Sequence, residues 1–296
     1  MNNHPNETPR QSGLSDPGRI KEILSRHGFH FSKALGQNFL INGSVCPRMA
    51  EACGADPNMG VIEVGPGMGV LTWELSQRAK KVVAIELDKR LFPVLEETLA
   101  DCSNVELVEG DVLKLDLNRL IEERLGGEQV CVCANLPYYI TSPVIMGLLE
   151  GGLPISSITV MVQKEAARRI CARPGTRECG AVSVSVHYHC EPHILFEVSR
   201  GSFLPPPAVD SAVIRLDLRK EPPVQVLDEA FFFSLAKAAF AQRRKTAANS
   251  ISASLGIQKH RVEEALEAVG AEKNIRAERL ALEQFAELAN FLCPGV

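Results

Sequence analysis

The chain has 296 residues, of which 45% are hydrophobic and 23% are charged, and its formal net charge is −4. This length allows one large domain and a smaller one, and the composition is that of an ordinary globular protein. No apolar stretch reaches the roughly 18 residues that a membrane helix needs, and the acidic balance argues against a protein that binds nucleic acid over its whole surface.

The chain begins with the polar stretch MNNHPNETPRQSGLSDPGR, which lacks the apolar segment of a signal peptide. We therefore expect residues 1–15 to form a disordered lead-in and the protein to be cytoplasmic. The nine cysteines are scattered and include no CxxC pair. This pattern predicts reduced, buried thiols rather than disulfide bonds or a zinc site.

Short apolar segments alternate with helical patterns through the first half of the chain. The segments that predict strands are 61–65, 82–87, 105–111, 129–136 and 157–163. The helical patterns lie at 70–77, 91–100, 142–150 and 164–170. Alternation of this kind predicts right-handed crossovers and a mostly parallel, doubly wound sheet. We therefore expect an α/β, Rossmann-like domain over residues 16–219.

The rhythm changes after residue 180. Residues 181–189 read AVSVSVHYH and alternate at period two, and residues 193–198 and 211–218 show further strand patterns. We expect these closely connected strands to form an antiparallel pair at an edge of the sheet.

Helical patterns alone follow the linker RKEPPV at 219–224. They lie at 229–244, 259–269 and 281–292, with Gly256 and Gly270 as breaks between them. The sequence therefore predicts a small, all-helical domain over residues 225–296.

The segment EVGPGMG at 63–69 joins the first predicted strand to the first helix, and its glycines allow a ligand to approach the backbone. A dinucleotide fingerprint would need glycine at position 70, which is Val70. Gly65 and Gly67, with Glu86 at the end of the next strand, instead resemble the nucleoside half-site of S-adenosylmethionine-dependent methyltransferases. A carboxylate at such a strand end can accept hydrogen bonds from both ribose hydroxyls. The alternative is a plain tight turn.

Asp111 follows the third predicted strand. Its carboxylate could accept a hydrogen bond from the adenine amino group of the cofactor, or it could instead cap the next helix. Ligands of doubly wound sheets bind at the carboxyl ends of the strands. The glycine turn, Glu86 and Asp111 all fall at such ends, which favours the cofactor site.

The tetrapeptide Asn135-Leu136-Pro137-Tyr138 ends the fourth predicted strand. The Asn135 side-chain oxygen and the Leu136 carbonyl can accept from the two N–H groups of an adenine amine, and so favour a geometry in which its lone pair is free to react. Pro137 restricts Leu136 to extended dihedral angles and fixes the direction of that carbonyl. Tyr138 offers a face for base stacking, worth about 1–3 kcal/mol. The alternative is a strand-ending turn with a core tyrosine.

Eight sequence blocks together resemble the ribosomal RNA adenine dimethyltransferases, and among them the enzymes of the small subunit, over about residues 17–290. The blocks are KALGQNFL (33–40), EVGPGMGVLT (63–72), AIELD (84–88), EGDVL (109–113), NLPYYITSP (135–143), VQKEAARRI (162–170), FLPPPAVDSAVIRL (203–216) and AQRRKTAANSI (241–251). The resemblance implies a seven-stranded methyltransferase sheet and S-adenosylmethionine as the cofactor. The cofactor positions that it implies are Asn38, Leu40, Gly65, Glu86, Asp111 and Asn135. The target-base positions are Asn135, Leu136 and Tyr138, with Phe203 as a second stacking face.

The substrate that this resemblance implies is 16S rRNA within an immature small ribosomal subunit. The reaction would place up to two methyl groups on the 6-amino group of each of two adjacent adenosines in the 3′-terminal hairpin loop. We expect the protein to be a monomer. We also expect no metal site, because no histidine pairs with a carboxylate or cysteine at metal-ligand spacing.

Basic side chains provide candidate RNA contacts. Arg168 and Arg169 fall on one predicted helix, and Arg243, Arg244 and Lys245 fall on another. Residues 200–260 hold nine Lys or Arg against five Asp or Glu, so this region is basic within an acidic protein. Such a layout is typical of one RNA-binding side. The alternative for each cluster is a solvated helix face.

Three other functions remain open on the sequence alone. One is the related large-subunit rRNA methyltransferase of the macrolide-resistance type, which usually has Asn-Ile-Pro-Tyr where this chain has Asn-Leu-Pro-Tyr. Another is a mainly non-catalytic ribosome-assembly factor on the same fold. The last is a nicotinamide-dependent dehydrogenase, which Val70 disfavours.

Overall fold

The computed structural model of the protein describes residues 14–31 and 36–294. The disordered lead-in predicted for residues 1–15 therefore lies almost wholly outside the described residues. Leu14 and Ser15 are described, and both are buried. The first helix begins directly after them, where Asp16 caps it by accepting a hydrogen bond from the backbone N–H of Arg19 at 2.8 Å.

The described residues form nine strands and twelve α-helices. The strands are β1 (Phe39–Leu40), β2 (Gly60–Val64), β3 (Lys81–Glu86), β4 (Val105–Glu109), β5 (Val130–Asn135), β6 (Ile155–Gln163), β7 (Cys190–Val198), β8 (Phe203–Leu204) and β9 (Ser211–Leu218). The helices are α1 (Pro17–Arg26), α2 (Val45–Ala52), α3 (Val70–Ser76), α4 (Phe92–Thr98), α5 (Leu117–Leu125), α6 (Thr141–Glu150), α7 (Lys164–Cys171), α8 (Ala181–His189), α9 (Glu229–Phe240), α10 (Ala247–Leu255), α11 (Lys259–Ala268) and α12 (Leu282–Leu292).

Seven strands form one sheet in the order β4-β3-β2-β5-β6-β9-β7. The pairs β3–β4, β2–β3, β2–β5 and β5–β6 are parallel, which confirms the predicted α/β fold with a mostly parallel sheet. The strand order reverses between β2 and β5, because β2 pairs with β3 on one side and with β5 on the other. In doubly wound sheets the ligand crevice lies at such a reversal, beyond the carboxyl ends of the strands.

The described residues fall into two compact units, and neither is one continuous stretch of chain. One unit is drawn from Met1–Lys164 and Leu195–Arg215, and the other from Glu165–Ile194 and Leu216–Val296. The two units meet at residues 164/165, 194/195 and 215/216 rather than at residues 219 and 225. The predicted domain boundaries concern domains that fold independently, and they stay predictions.

The apolar core of the first unit packs on the sheet and beneath α1 and α4. One cluster includes Met49, Leu75 and Phe203, and another includes Ile20, Leu91 and Leu95. The second unit has its own core, in which Tyr188, Phe232 and Phe233 contact one another with ring centroids 5.0 to 5.2 Å apart. Burial of large side chains of this kind is the main favourable term in folding.

The strand predicted at residues 181–189 is wrong, because this segment is helix α8. A strand at an exposed edge would have its serines exposed and its valines buried. Here all four residues are buried: Ser183, Val184, Ser185 and Val186. A helix that is covered on several sides shows no helical period in its sequence, and packing overrides the strand propensity of valine. The strands predicted at 193–198 and 211–218 are confirmed as β7 and β9, neighbours at one edge of the sheet.

The helix predicted to carry Arg243, Arg244 and Lys245 ends too early to do so. Helix α9 ends at Phe240, and residues 241–245 form a turn before α10. Ser250 of α10 explains the end of α9, because its hydroxyl donates to the Ala238 carbonyl at 2.6 Å and accepts from the Gln242 N–H at 3.1 Å. The Ala238 carbonyl and the Gln242 N–H, which would take part in the hydrogen bonds of a longer α9, are therefore bonded to a side chain of α10.

All nine cysteines are free, as the sequence predicts. Six are buried, and Cys102, Cys171 and Cys293 are half-buried. Burial raises the pKa of the Cys190 thiol to about 12, so this sulfur stays protonated and unreactive.

Candidate active site

A cavity of about 1180 Å³, counting the part open to solvent, lies where β2, β3 and β5 end. The structure brings all the predicted cofactor and target-base residues onto its wall. They are Asn38, Leu40, Gly65, Gly67, Glu86, Asp111, Asn135, Leu136, Tyr138 and Phe203. They come from six separate parts of the chain, and the parallel topology places their strand ends at one edge of the sheet.

The glycine turn forms one side of the cavity. Gly65 has a positive φ of 70°, and its N–H donates to the Ile85 carbonyl at 2.9 Å, which fixes the turn to β3. Apart from its chain neighbours, no atom of the described residues lies within 4 Å of the position that a Cβ at Gly65 would occupy. A side chain there would therefore project into open space that a ligand can use, and its backbone would be strained.

Glu86 ends β3 and is buried. One of its carboxylate oxygens accepts from the Asp88 N–H at 2.8 Å, and the N–H groups of Leu87 and Gly67 also point to this carboxylate. Burial raises the pKa of Glu86, and these N–H groups oppose that rise. The side chain is thus held in one orientation at the cavity wall, as an acceptor for hydroxyl groups must be.

Asp111 does not cap a helix, which was one of the two roles that the sequence left open. Its carboxylate lines the cavity, and one oxygen also accepts from the Leu113 N–H at 3.1 Å. The turn that this bond stabilises is not a helix, since α5 begins only at Leu117 and is capped by Asp116. Lys114 lies 3.5 Å from the other carboxylate oxygen.

Strands β1 and β8 form a short antiparallel ladder that brings two distant predicted residues together. Leu40 pairs with Phe203, and both are buried. Just before this ladder, the Asn38 side chain donates to the Gly36 carbonyl at 2.9 Å. Phe203 lines the cavity, but its side chain is packed in the core and only 2% of it is exposed.

The Asn135-Leu136-Pro137-Tyr138 turn, at the end of the neighbouring strand β5, also lines the cavity. The Leu136 N–H donates to the Met161 carbonyl at 3.2 Å, so the pairing with β6 extends one residue beyond β5. The hydroxyls of Tyr138 and Ser211 share a hydrogen bond of 2.8 Å, which holds the half-buried ring. Burial raises the pKa of Tyr138 and keeps its hydroxyl neutral. Among the described residues none hydrogen-bonds to the Asn135 side-chain amide, which lines the cavity.

Glu63 is a cavity residue that the sequence reasoning missed. It is fully buried within β2, and one of its carboxylate oxygens has no hydrogen-bond partner among the described residues. Burial, reinforced by the charge of Glu86, raises the pKa of Glu63 from 4.5 to about 8, although the Thr72 hydroxyl opposes the rise. The signal was present in the sequence, because a glutamate inside an apolar strand is rare without a function or a partner.

The predicted RNA contacts lie in the second unit. Arg168 and Arg169 are exposed in the last turn of α7, and Arg243, Arg244 and Lys245 are exposed in the turn before α10. Within the described part of the chain none of these five side chains forms an ion pair. Their charges therefore face solvent without a counter-charge, which is compatible with phosphate binding.

The cavity has the donors and acceptors that a cationic nucleoside needs. Glu86 and Asp111 provide carboxylate acceptors, one oxygen of Glu63 has no partner among the described residues, and Gly65 leaves room for close approach. Apolar side chains such as Leu87 and Val112 line the remainder of the wall. These residues fit S-adenosylmethionine, which combines a ribose, an adenine and a sulfonium.

No group of three or more His, Cys, Asp or Glu side chains among the described residues is arranged to hold a metal ion. None of the helices in this part of the chain has the length and apolar character that are needed to cross a bilayer.

The chain is similar to known proteins over most of its length. Residues 28–293 match a family described as ribosomal RNA adenine dimethylase. A protein named ribosomal RNA small subunit methyltransferase A from Geobacillus thermodenitrificans is 47% identical over 285 residues, covering 95% of this chain and 97% of that protein. A protein of the same name from Alkaliphilus oremlandii is 46% identical over 280 residues, covering 94% and 98%.

Solved structures show the same fold. The 23S rRNA methyltransferase ErmE is 30% identical, with a TM-score of 0.65, and the match covers 86% of this chain and 99% of that one. A dimethyladenosine transferase from Plasmodium falciparum has a TM-score of 0.68 at 24% identity, over 84% of this chain and 95% of that one. The second likeness is evidence for the fold alone.

Proposed function

Because the chain belongs to the ribosomal RNA adenine dimethylase family, we propose that it dimethylates the 6-amino groups of two adjacent adenosines in the 3′-terminal hairpin loop of 16S rRNA. The enzyme is an rRNA adenine dimethyltransferase, and its cofactor is S-adenosylmethionine. The choice of adenosines goes beyond that family assignment. The observation that carries the proposal is the Asn135 amide, which faces the cavity without a partner among the described residues, beside Leu136 and Tyr138.

The residues that would hold the cofactor surround the glycine turn. Glu86 would accept from the ribose, Asp111 from the adenine amine, and Gly65 and Gly67 would let the methionine part approach the backbone. Asn38 and Leu40 would close the same side. When bound, S-adenosylmethionine supplies an electrophilic methyl group on its sulfonium sulfur.

The target amine would be held from the opposite side. Asn135 and the Leu136 carbonyl would accept from the two N–H groups of the adenine amine, and so turn its lone pair away from the ring. Positioning of this kind accounts for much of the rate in such reactions. The amine loses its proton after the transfer, so these residues need to hold the amine rather than deprotonate it.

The base must leave its stack to enter the cavity. Tyr138 would then stack on it, because the ring is held by Ser211 and half of it is buried. Phe203 would provide the second face once the base enters. Stacking on an aromatic ring is worth about 1–3 kcal/mol, which helps to offset the cost of extruding the base.

The small-subunit substrate is supported by the closer relatives. Proteins named ribosomal RNA small subunit methyltransferase A are 46 and 47% identical to this chain, whereas the 23S enzyme is 30% identical. We infer that the substrate is an immature small subunit in the cytoplasm, and that the enzyme acts as a monomer. Arg168, Arg169, Arg243, Arg244 and Lys245 would hold RNA outside the cavity.

One experiment separates this function from its rivals. The protein is incubated with labelled S-adenosylmethionine and either small or large subunits that lack adenine dimethylation, and the product is mapped by mass spectrometry. We expect label on two adjacent adenosines of 16S rRNA. Label on 23S rRNA would instead support the macrolide-resistance type of activity.

The Asn135→Ala variant tests the non-catalytic alternative in the same assay. We expect it to bind the small subunit as the wild type does and to transfer no detectable label. If the wild type also transfers no label while binding the particle, the protein is an assembly factor rather than an enzyme.

A further inference from the structure

Asp88 is a buried carboxylate that does not line the cofactor cavity but is bonded to two residues that do, and the proposed mechanism does not use it. It follows β3 by two residues, and its side chain is 6% exposed. One oxygen accepts from Gln37 Nε2 at 2.7 Å and from Arg90 Nη2 at 2.7 Å. The other accepts from Arg90 Nε at 2.8 Å. Gln37 comes from the chain before β1, 51 residues away in sequence.

The same residue is joined to the proposed ribose acceptor. The backbone N–H of Asp88 donates to the Glu86 carboxylate at 2.8 Å. Gln37, Asp88 and Glu86 therefore form a continuous chain of hydrogen bonds between two walls of the cavity. Gln37 and Glu86 both line that cavity.

Arg90 holds Asp88 ionised and also contacts the chain before Gln37. Hydrogen bonds from Arg90 lower the pKa of Asp88, although burial opposes the shift. The Arg90 guanidinium lies over the Phe29 ring at 5.1 Å from its centroid, and Nη1 is 3.5 Å from the His30 carbonyl. The ion pair is thus fixed from a third side, and Asp88 can act as a rigid acceptor.

We propose that Gln37 and Asp88 are positioning residues for the cofactor: their hydrogen bond holds the wall formed by Gly36, Asn38 and Leu40 against the wall that carries Glu86. This inference rests on the proposed function, because it takes S-adenosylmethionine to be the molecule that binds in the cavity. It adds two residues to the set implied by family resemblance. Neither acts on the reacting atoms.

The physical reason is preorganisation. Residues 36–38 form no regular secondary structure, and the ladder at Phe39–Leu40 is only two residues long. Loss of the bond between Gln37 and Asp88 would leave residues 36–38 less constrained, and the entropy of ordering them when the cofactor binds would be taken from the binding free energy. The bond to a buried charge is stronger than one between neutral groups.

The Gln37→Glu variant tests the bond through its charge. At high pH two carboxylates would face each other and repel, whereas at lower pH a proton on the introduced carboxylate would restore the hydrogen bond to Asp88. Among the described residues, the charged groups bonded to this pair are Arg90, through the Asp88 carboxylate, and Glu86, through the Asp88 N–H. Gln37→Met removes the donor without adding a charge, and Gln225→Glu makes the same chemical change at an exposed position of the second unit.

Two readouts are measured on the full chain. Calorimetry gives the Kd of S-adenosylhomocysteine at about pH 6 and about pH 8, and hydrogen exchange gives the amide protection of residues 36–40 without ligand. We expect Gln37→Glu to bind about tenfold or more weakly at the higher pH and within about threefold of wild type at the lower one. Gln37→Met should bind about fivefold more weakly at both values, and Gln225→Glu should match the wild type. The amide protection of residues 36–40 should follow the same order: it should be equal in the wild type and Gln225→Glu, lower in Gln37→Met, and lowest in Gln37→Glu at the higher pH.

Binding by Gln37→Glu that equals wild type, or that is weakened equally at both pH values, would overturn the inference. A wild-type protein that does not bind S-adenosylhomocysteine would instead refute the proposed function. Thermal unfolding of each variant identifies any that fails to fold. In that case Gln37→Met alone, with the exchange measurement, decides the question.

Discussion

The turn at Asn135–Tyr138 and the basic turn at Arg243–Lys245 both contain predicted functional residues, but they are built differently. In the first, the Leu136 N–H and the Tyr138 hydroxyl are bonded to fixed partners, and the side chains line a cavity. In the second, all three side chains are exposed and form no ion pair with a described residue. Chemistry at one atom needs fixed geometry, whereas binding to a phosphate chain needs charge that can adapt.

The comparison implies that the size of a mutational effect should follow burial. A change to a buried carboxyl group alters the folding equilibrium, a change to a half-buried ring alters catalysis, and a change to an exposed charge alters mainly the salt dependence of binding. The predictions below test this order.

The largest expected effect is that of Glu63→Gln on stability. The folded protein keeps Glu63 protonated up to about pH 8, while the unfolded chain ionises it near its ordinary value of 4.5. Unfolding between these values releases a proton, so this residue lowers stability as pH rises. The variant should remove that slope and be more stable than wild type at the upper end, by on the order of 3 kcal/mol.

Denaturant unfolding of the ligand-free protein at several pH values gives the difference between variant and wild type, in which all other titrating groups cancel. A difference that is constant from about pH 5 to about pH 8 would show that Glu63 is ionised in the folded cavity. The expected relation between burial and the size of the mutational effect would then be wrong for Glu63.

A smaller effect is expected at Tyr138. Tyr138→Ala should lose the stacking face and reduce kcat/KM for the ribosomal particle by about 1–3 kcal/mol in transition-state free energy. Tyr138→Phe keeps the face and loses only the bond to Ser211, so it should cost about 1 kcal/mol or less. If both variants lose the same activity, the hydroxyl rather than the ring face is what matters.

The smallest effect at physiological salt is expected in the basic turn. Replacing Arg243, Arg244 and Lys245 together by glutamine should weaken RNA binding by about tenfold and reduce the slope of log K against log salt by about 2. Methyl transfer at saturating particle concentration should be unchanged, because these side chains lie outside the cavity. An unchanged salt slope would show that the three charges do not contact phosphate.

The sequence alone predicted the cavity well because of how parallel sheets are built. Residues that end successive strands must meet at one edge, so Gly65, Glu86, Asp111 and Asn135 could be placed together without any knowledge of packing. Their family resemblance then added Asn38 and Leu40. All of these residues do line one cavity.

What the sequence could not predict depends on contacts across the chain. The bond between Gln37 and Asp88 joins residues 51 positions apart, and no local pattern indicates it. Helix α8 was read as a strand because its buried serines imitate an alternating pattern. The end of α9 is decided by Ser250, a side chain on the following helix. Tertiary packing overrides local propensity in each case.

The central claim is that Asn135 and the Leu136 carbonyl hold the adenine amine beside the methyl donor. A crystal structure of the enzyme with S-adenosylhomocysteine and an RNA fragment that contains the target adenosine tests it directly. The account predicts that the 6-amino nitrogen lies within about 2.7–3.2 Å of both the Asn135 side-chain oxygen and the Leu136 carbonyl oxygen, with Tyr138 against the base. A base bound in the cavity with its amine directed away from Asn135 would contradict it.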